Sequence, residues 1–342
     1  MKPRWLAILL LGLALPALAA EEELYFFNWS EYLPEEVLDE FTRETGIKVV
    51  YSTYDSNEAM YAKVKLAGGG YDLVVPSTYY VSKMRREGML EPLDKAKIPN
   101  LKNLNPELLD KPYDPGNAYS VPYLWGSTGI GVNAARVDPA TVTAWADLWD
   151  PRFRGKLLLT NDVREVFHMA LRVLGYSGNS ADPKEIEAAY RKLQELMPNV
   201  RVFNSDNPKV PYLTGEVVAG MLWNGEAYAA KQENPDIRYV YPREGAILWV
   251  DSLVIPKGAR HRDAAHRMID FLLRPEVAKR ICEEVGYATP NREAWKLLAP
   301  EVRDDRTVYP APEDLRNAEV QVDVGEAITV YERFWEQLKA GR

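Results

Sequence analysis

Aromatic and acidic side chains recur in this sequence directly after segments with the composition of β-strands. Hydroxyl and aromatic residues follow the first and third of these segments, and carboxylates follow later ones. The candidates are Trp29, Ser30, Tyr32, Ser77, Thr78, Tyr79, Asp162, Glu165, Trp223, Glu226, Trp249 and Asp251. Open parallel sheets bind ligands at the carboxyl ends of their strands. The pattern therefore predicts a binding site that is lined by aromatic rings and carboxylates.

Such a lining suits a flexible organic cation that carries several ammonium groups. Aromatic rings pack against the methylenes and attract an ammonium charge, at about 0.5 to 2 kcal/mol for each contact. An ammonium group that leaves water also needs a carboxylate partner, because burying an unpaired ion is costly. The three acids Asp162, Glu165 and Asp251 match the charges of a linear triamine in number.

Each of these residues also has a purely structural interpretation. A Trp at the end of a strand often fills a core or a domain interface. Asp162 can cap the helix that follows it, and Glu165 can compensate the dipole of the first helical turn. Taken alone, the residues predict a ligand-binding α/β protein and no particular ligand.

The elements that would position these residues alternate between strand and helix. Hydrophobic patterning predicts strands over residues 24–28, 47–51, 71–75, 156–160, 217–223, 237–241 and 247–255. It predicts helices over residues 34–44, 55–66, 163–174 and 182–196, with three or more helices after them. Asp55 and Glu58 are placed as a capping box for the second helix, and the glycines at 68–70 end that helix. This order implies a parallel sheet with right-handed crossovers.

The first residues have the pattern of an export signal. Lys2 and Arg4 precede an apolar run over residues 5–15, and Ala17 and Ala19 provide a small-x-small cleavage site. The run is too short to remain as a membrane-spanning helix. We therefore predict a signal peptide over residues 1–19, cleaved near Ala19, and no stable membrane insertion afterwards.

Composition narrows the class of the mature protein further. Its one cysteine, Cys282, cannot form an internal disulfide and does not follow the apolar run, where a lipid anchor would need it. Loss of Lys2 and Arg4 would leave 40 basic residues against 50 acidic ones, a net charge of −10. That charge disfavours nucleic acid and anionic membranes and is compatible with a cationic ligand. The length suffices for two domains.

Five segments resemble the polyamine-binding proteins of bacterial ABC transporters. They are residues 25–32 (YFFNWSEY), 71–80 (YDLVVPSTYY), 203–208 (FNSDNP), 249–253 (WVDSL) and 286–291 (GYATPN). The resemblance runs from about residue 22 to the C-terminus with almost no gaps. It implies an α/β, two-lobed periplasmic-binding-protein fold, in which each lobe is a mainly parallel sheet flanked by helices and the ligand lies in the cleft between the lobes.

The same resemblance implies the limits of the lobes. One lobe comprises residues 20–127 with 250–298, and the other comprises residues 128–249 with 299–342. The chain is expected to cross between them near residues 120–134 and 242–245.

The resemblance also assigns ligand contacts. They carry over to Trp29, Ser30, Tyr32, Ser77, Tyr79, Asp162, Glu165, Trp223, Trp249, Asp251, Tyr287 and Gln321. Asp162 and Glu165 resemble the carboxylates that receive one end of the ligand and its secondary amine, and Asp251 resembles the anchor of the other terminal amine. The chain departs from the family at Ser30, where close relatives have Thr, and at Val320, where an aromatic residue can occur.

By this resemblance, the protein is a periplasmic monomer that binds spermidine, or putrescine, and delivers it to a membrane permease. No catalysis, cofactor or metal is implied. The preference between the two polyamines depends on cleft length and stays open, with three carboxylates favouring spermidine.

Two other classes of protein share part of this pattern. Glycosidases also pair carboxylates near aromatic rings, and Asp162 and Glu165 fit that description. However, His168, His261 and His266 form no nucleophile motif, and no Cys/His cluster suggests zinc. A sugar-binding site would use Trp walls but would not call for three carboxylates. A putrescine-selective or other cationic-solute site stays open, since it needs only two anchors.

Overall fold

A computed structural model describes residues 22–341, so the predicted signal peptide and its cleavage site lie outside the described residues. The strands are β1 (Glu23–Trp29), β2 (Lys48–Tyr54), β3 (Leu73–Val74), β4 (Ser120–Asn133), β5 (Leu157–Leu159), β6 (Val200–Phe203), β7 (Ala219–Trp223), β8 (Ile237–Val240), β9 (Ile247–Val254) and β10 (Glu319–Val320). The helices are α1 (Glu35–Thr45), α2 (Asn57–Ala67), α3 (Thr78–Arg86), α4 (Val163–Val173), α5 (Pro183–Leu196), α6 (Lys209–Leu213), α7 (Asn224–Glu233), α8 (Arg262–Leu272), α9 (Pro275–Val285), α10 (Arg292–Leu297), α11 (Pro300–Arg303) and α12 (Ile328–Ala340). None of these helices has the length and apolar character that crossing a membrane requires.

The strands join into one sheet in the order β2-β1-β3-β9-β4-β7-β5-β6, with β10 beside β9 and β8 beside β4. β1 is parallel to β2 and β3, and β5 is parallel to β6 and β7. β9 runs antiparallel to β3 and β4, and β4 runs antiparallel to β7 and β8. Two parallel half-sheets, β2-β1-β3 and β7-β5-β6, therefore flank the pair β4 and β9. This arrangement and the structural relatives reported below confirm the predicted fold class.

Strand β4 connects two hydrophobic cores. Its first half contributes Val121 and Leu124 to the core around β1–β3. Its second half contributes Ile130 and Val132 to the core around β5 and β7. The pairing of β4 with β9 shifts register between Pro122 and Leu124. The exact division of the chain into two lobes stays a prediction.

Local capping explains several helix boundaries. Gly46, with φ of 72°, ends α1, and the Asp182 side chain accepts a hydrogen bond from the Lys184 N–H at the start of α5. The predicted capping box at Asp55 and Glu58 is wrong. Ser56 is the N-cap of α2, and its Oγ accepts a hydrogen bond from the Ala59 N–H. Ser56 has an extended backbone and lies immediately before the helix, so it caps α2 one residue after the predicted cap Asp55.

Four elements near the candidate residues differ from the predictions. β2 continues to Tyr54, three residues beyond the predicted end, while β3 is confined to Leu73–Val74. α3 and α7, which start directly after β-structure, were not predicted at all. A helix is recognised from apolar residues that recur every three or four positions. That periodicity is obscured when polar residues of the first turn are buried at a sheet edge, as happens at Thr78 and Glu226.

β5 and β7 approach so closely at Gly220 that no side chain fits between them. Gly220 has φ of 142°, and a Cβ added there would lie 2.0 Å from the Leu158 carbonyl oxygen. β5 leads to Asp162 and β7 ends at Trp223. The absent side chain at Gly220 therefore sets the spacing of two segments that carry candidate residues.

We expect Gly220→Ala to lower the free energy of unfolding by about 2 to 5 kcal/mol, because overpacking adds to the strain of a left-handed backbone. Gly46→Ala is the matched control. Gly46 also has a positive φ, but an added Cβ meets nothing within 4 Å, so we expect a loss of only about 1 to 2 kcal/mol. Urea denaturation of both variants checks this, and equal losses would contradict the steric role of Gly220.

Candidate ligand-binding site

One cavity gathers all of the predicted contact residues. The space between the lining residues, counted together with its opening to solvent, is about 530 Å³. The predicted residues that line it are Trp29, Ser30, Tyr32, Ser77, Tyr79, Asp162, Glu165, Trp223, Trp249, Asp251, Tyr287 and Gln321. The lining also includes Asn57, Ser205, Asp206 and Glu226.

Both half-sheets contribute to this lining. Trp29 ends β1, and Trp223 ends β7. Asp162 is the N-cap of α4 after β5, and Ser77 is the N-cap of α3 after β3. Asp251 lies within β9, next to both halves. The candidate residues meet because parallel strands bring their carboxyl ends to one edge of the sheet.

Asp251 is held by hydroxyl groups. Its two carboxylate oxygens accept hydrogen bonds from Tyr32 Oη at 2.7 Å and Ser77 Oγ at 2.6 Å. Asn57 Nδ2 in turn donates to Ser77 Oγ at 3.0 Å, so the anchor of Asp251 is itself fixed. Burial raises the pKa of Asp251 to about 7, with a further contribution from the charge of Asp162, although the two hydrogen bonds oppose the shift. The carboxylate is positioned but not neutralised.

Glu165 and Asp162 form the second acidic group. Thr128 Oγ1 donates to Glu165 Oε1 at 2.5 Å, and Trp223 Nε1 donates to both oxygens of Glu165 at 3.1 and 3.0 Å. Asp162 Oδ1 accepts from the Glu165 backbone N–H at 2.9 Å, so Asp162 also caps α4 as its structural interpretation predicted. Burial raises the pKa of both acids, and the charge of Asp162 raises that of Glu165 further.

Arg164 lies between these two acids in sequence but contacts other groups. Its guanidinium donates to the Val322 carbonyl oxygen and to Asn179 Oδ1, each at 3.1 Å. It also lies over the ring of Tyr79, with Cζ 5.3 Å from the ring centroid. Its charge lowers the pKa of Asp162, but Arg164 does not line the cavity.

The three indole N–H groups of the cavity are already used within the protein. Trp29 Nε1 donates to the Val75 carbonyl oxygen at 2.9 Å, and Trp249 Nε1 donates to Thr128 Oγ1 at 3.2 Å. Trp223 Nε1 donates to Glu165, as described above. Apolar ring surface is therefore what these indoles present to a ligand.

Tyr287 completes the aromatic lining. Its ring packs edge-on against Tyr32 and Trp249, with centroids 5.1 and 5.3 Å apart. On the polar side, Gln321 is buried, and its Nε2 has no hydrogen-bond partner within residues 22–341. That amide is available to a ligand atom in the cavity.

Two loops meet across one side of the cavity. Ser30 Oγ donates to Asp206 Oδ1 at 2.7 Å, and Asn207 Nδ2 donates to Glu31 Oε1 at 3.1 Å. Lys209 forms an ion pair with Glu31. These contacts, which we call the mouth contact, join the loop after β1 to the segment after β6 and restrict access to the cavity from solvent.

The charge of the cavity is one-sided. Asp162, Glu165, Asp251 and Glu226 are only 3 to 6% exposed. Within the described residues, none of them forms an ion pair with a basic side chain, and no basic side chain lines the cavity. No set of three His, Cys, Asp or Glu residues in that part of the chain is arranged to hold a metal ion. Since buried carboxylates without counter-charge are costly, the cavity favours a positively charged ligand.

Sequence reasoning missed three lining residues, Asn57, Ser205 and Asp206. Asn57 follows β2, whose predicted end was set three residues too early, and the other two follow β6, which was not predicted. The rule that found the other residues would have found these with correct strand ends. Glu226 satisfied that rule but had no counterpart among the contacts that the family resemblance assigned.

A parallel α/β scaffold with an acidic and aromatic cavity defines a solute-binding protein. Residues 36–309 match the model of a family described as bacterial extracellular solute-binding protein. The spermidine/putrescine-binding periplasmic protein of Escherichia coli (strain K12) is 58% identical over 335 residues, which cover 97% of this chain and 96% of that protein. A putrescine-binding periplasmic protein of the same strain is 33% identical and covers 99% and 98% of the two chains.

Solved structures give the same result. A Listeria monocytogenes protein superposes with a TM-score of 0.91 at 39% identity, covering 94% of this chain and all of that one. A Streptococcus pneumoniae spermidine/putrescine ABC transporter substrate-binding protein superposes with a TM-score of 0.77 at 40% identity, covering 93% and 99%. The chain belongs to the bacterial extracellular solute-binding protein family. The relatives are binding proteins, which confirms the predicted resemblance and the predicted class, a transport protein and not an enzyme.

We expect the stability of the ligand-free protein to fall as pH rises from about 5 to 8. The pKa of Asp251 is about 7 in the folded protein but about 3.9 in an unfolded chain. Between these values the folded state binds a proton that the unfolded state does not, so the free energy of unfolding decreases with pH. Asp251→Asn should remove this contribution. Between pH 5 and 8, the free energy of unfolding of the variant should therefore rise relative to that of wild type by on the order of 2 kcal/mol.

Urea denaturation at several pH values measures this difference. Asp236→Asn is the control, because Asp236 is exposed and should keep a constant offset from wild type. An offset for Asp251→Asn that does not change with pH would show that Asp251 titrates normally.

Proposed function

We propose that this protein captures spermidine or putrescine in the described cavity and delivers it to the permease of an ABC transporter. The observation that carries the proposal is the set of buried carboxylates, without ion-pair partners, among three indole rings. The names of the relatives support the same ligand class. Protonated polyamines supply both the positive charges and the methylene chain that this lining requires.

The twelve predicted residues take two kinds of role in this proposal. Asp251 binds one terminal ammonium, while Asp162 and Glu165 bind the other end and the secondary amine. The aromatic rings enclose the methylenes between the charges, each contact contributing about 0.5 to 2 kcal/mol where a charge lies over a ring. Gln321 and the hydroxyls accept or orient the remaining polar groups.

Capture is proposed to proceed by closure of two lobes with the predicted boundaries. The ligand binds to one side, and the lobes rotate together about the segments that include β4. The mouth contact then holds the loops together, since Ser30 and Glu31 come from one side and Asp206 and Lys209 from the other. Closure excludes water, which strengthens each ion pair by lowering the local dielectric constant.

The compartment and partner are part of the same proposal. Removal of the predicted signal peptide near Ala19 would release a monomer into the periplasm. The permease would recognise the closed, loaded form. The periplasmic location stated in the names of the relatives supports this assignment.

We expect Asp251→Asn to weaken spermidine binding by about 2 kcal/mol or more, roughly 30-fold, because a buried ammonium loses its counter-charge. Titration calorimetry at pH 7.5 measures the change. Asp236→Asn serves again as the control, since it removes one exposed charge that does not line the cavity. Near wild-type affinity of Asp251→Asn would argue against its role as the anchor.

Spermidine should bind at least about tenfold more tightly than putrescine, because a diamine leaves one more carboxylate without a partner. Competition of the two polyamines for one protein preparation, followed by calorimetry, gives this ratio directly. Equal affinities would mean that the third carboxylate does not contact the ligand. Binding of neither polyamine would refute the proposed function itself.

A further inference from the structure

Glu226 is a fourth buried carboxylate on the cavity wall, where Asp206 is the exposed one, and the proposed spermidine contacts do not include it. It lies in the first turn of α7 and is 6% exposed. Its Oε2 atom is buried and has no hydrogen-bond partner within residues 22–341. Burial raises the pKa of Glu226 to about 7, the nearby charge of Lys209 notwithstanding. The side chain therefore lines the cavity with one carboxylate oxygen unpaired, while the charge and the backbone N–H of Lys209 act on Glu226 and oppose the rise of its pKa.

The basic side chain that acts on Glu226, Lys209, forms its ion pair with a different residue. Lys209 influences Glu226 but forms its ion pair with Glu31 in the mouth contact. Asn207 donates to the same Glu31 carboxylate, so Glu31 and Lys209 belong to a contact between loops. Glu226 is left without an ion pair as long as that contact is formed.

Glu226 lines the same cavity as Asp162, Glu165 and Asp251. The charge of Asp162 raises the pKa of both Asp251 and Glu165, which places these three acids together. The pKa of Tyr287 is raised by burial and then by the charges of Glu226, Asp251 and Glu165, in that order. Tyr287 is therefore near Glu226 as well as Asp251 and Glu165, and its ring packs against Gly225, the residue before Glu226.

We propose that the cavity is built for a linear tetra-amine, whose fourth ammonium group binds Glu226. This inference rests on the proposed polyamine function and specifies its substrate class. A triamine pairs with Asp162, Glu165 and Asp251 and leaves Glu226 buried and unpaired, whereas a tetra-amine gives every buried carboxylate a cation. A tetra-amine is expected to bind more tightly than a triamine, because only the tetra-amine also pairs the buried carboxylate of Glu226.

Three ligands and two variants test this. The ligands are spermidine, spermine, and a spermine analogue in which one terminal nitrogen is replaced by a methyl group, so that length is kept and one charge is lost. The variants are Glu226→Gln, which keeps the shape of the side chain, and Glu233→Gln, which removes an exposed charge from the same helix. Titration calorimetry at pH 8 measures all affinities, and thermal melts confirm that each variant is folded.

In wild type we expect spermine to bind at least about tenfold more tightly than its methyl-terminated analogue. Glu226→Gln should reduce that ratio to below about threefold and change spermidine affinity by less than about threefold, while Glu233→Gln leaves the ratio unchanged. A ratio that survives in Glu226→Gln, or an equal loss for spermidine and spermine, would overturn the proposal. If wild type binds none of the three ligands, the polyamine function fails instead.

Discussion

The cavity depends on carboxylates that the fold removes from water without giving them a basic partner. Hydroxyl and indole donors orient Asp251 and Glu165, but such bonds supply no positive charge, and burial raises the pKa of both acids. Burial of these acids without a basic partner lowers the stability of the ligand-free protein. A cation that enters the cavity removes the cost, so much of the discrimination against neutral solutes comes from relief of an existing penalty.

The rest of the scaffold serves to keep those acids together at the proper spacing. Parallel half-sheets direct the segments after β1, β3, β5 and β7 to one edge, and the close contact at Gly220 fixes the distance between the last two. β9 carries Asp251 through the middle of the sheet and pairs with β4 over most of its length. The two sides of the cavity lie on different half-sheets, as the proposed closure of two lobes requires.

The twelve contact residues predicted from the sequence line one cavity, whereas several predicted elements differ from the structure. Residues such as Trp29 and Asp162 follow short apolar strands, and their types point to an ammonium ligand. The misplaced end of β2 and the missed strand β6 concealed Asn57 and Asp206, because strand length depends on neighbours in the sheet and not only on local composition. The unpaired state of Glu226 could not be predicted either. It depends on Lys209 forming its ion pair with Glu31, a residue 178 positions away.

The hydrogen bond from Trp223 to Glu165 has an evolutionary consequence. Glu165, which is proposed to bind a ligand charge, accepts a hydrogen bond from Trp223, which is proposed to enclose the methylenes, and Thr128 connects Glu165 to Trp249. A substitution that adapts the family to a neutral solute by deleting this acid would also release two indole walls. Apolar and ionic recognition are therefore inherited as one unit here, and a change of cargo requires several mutations at once.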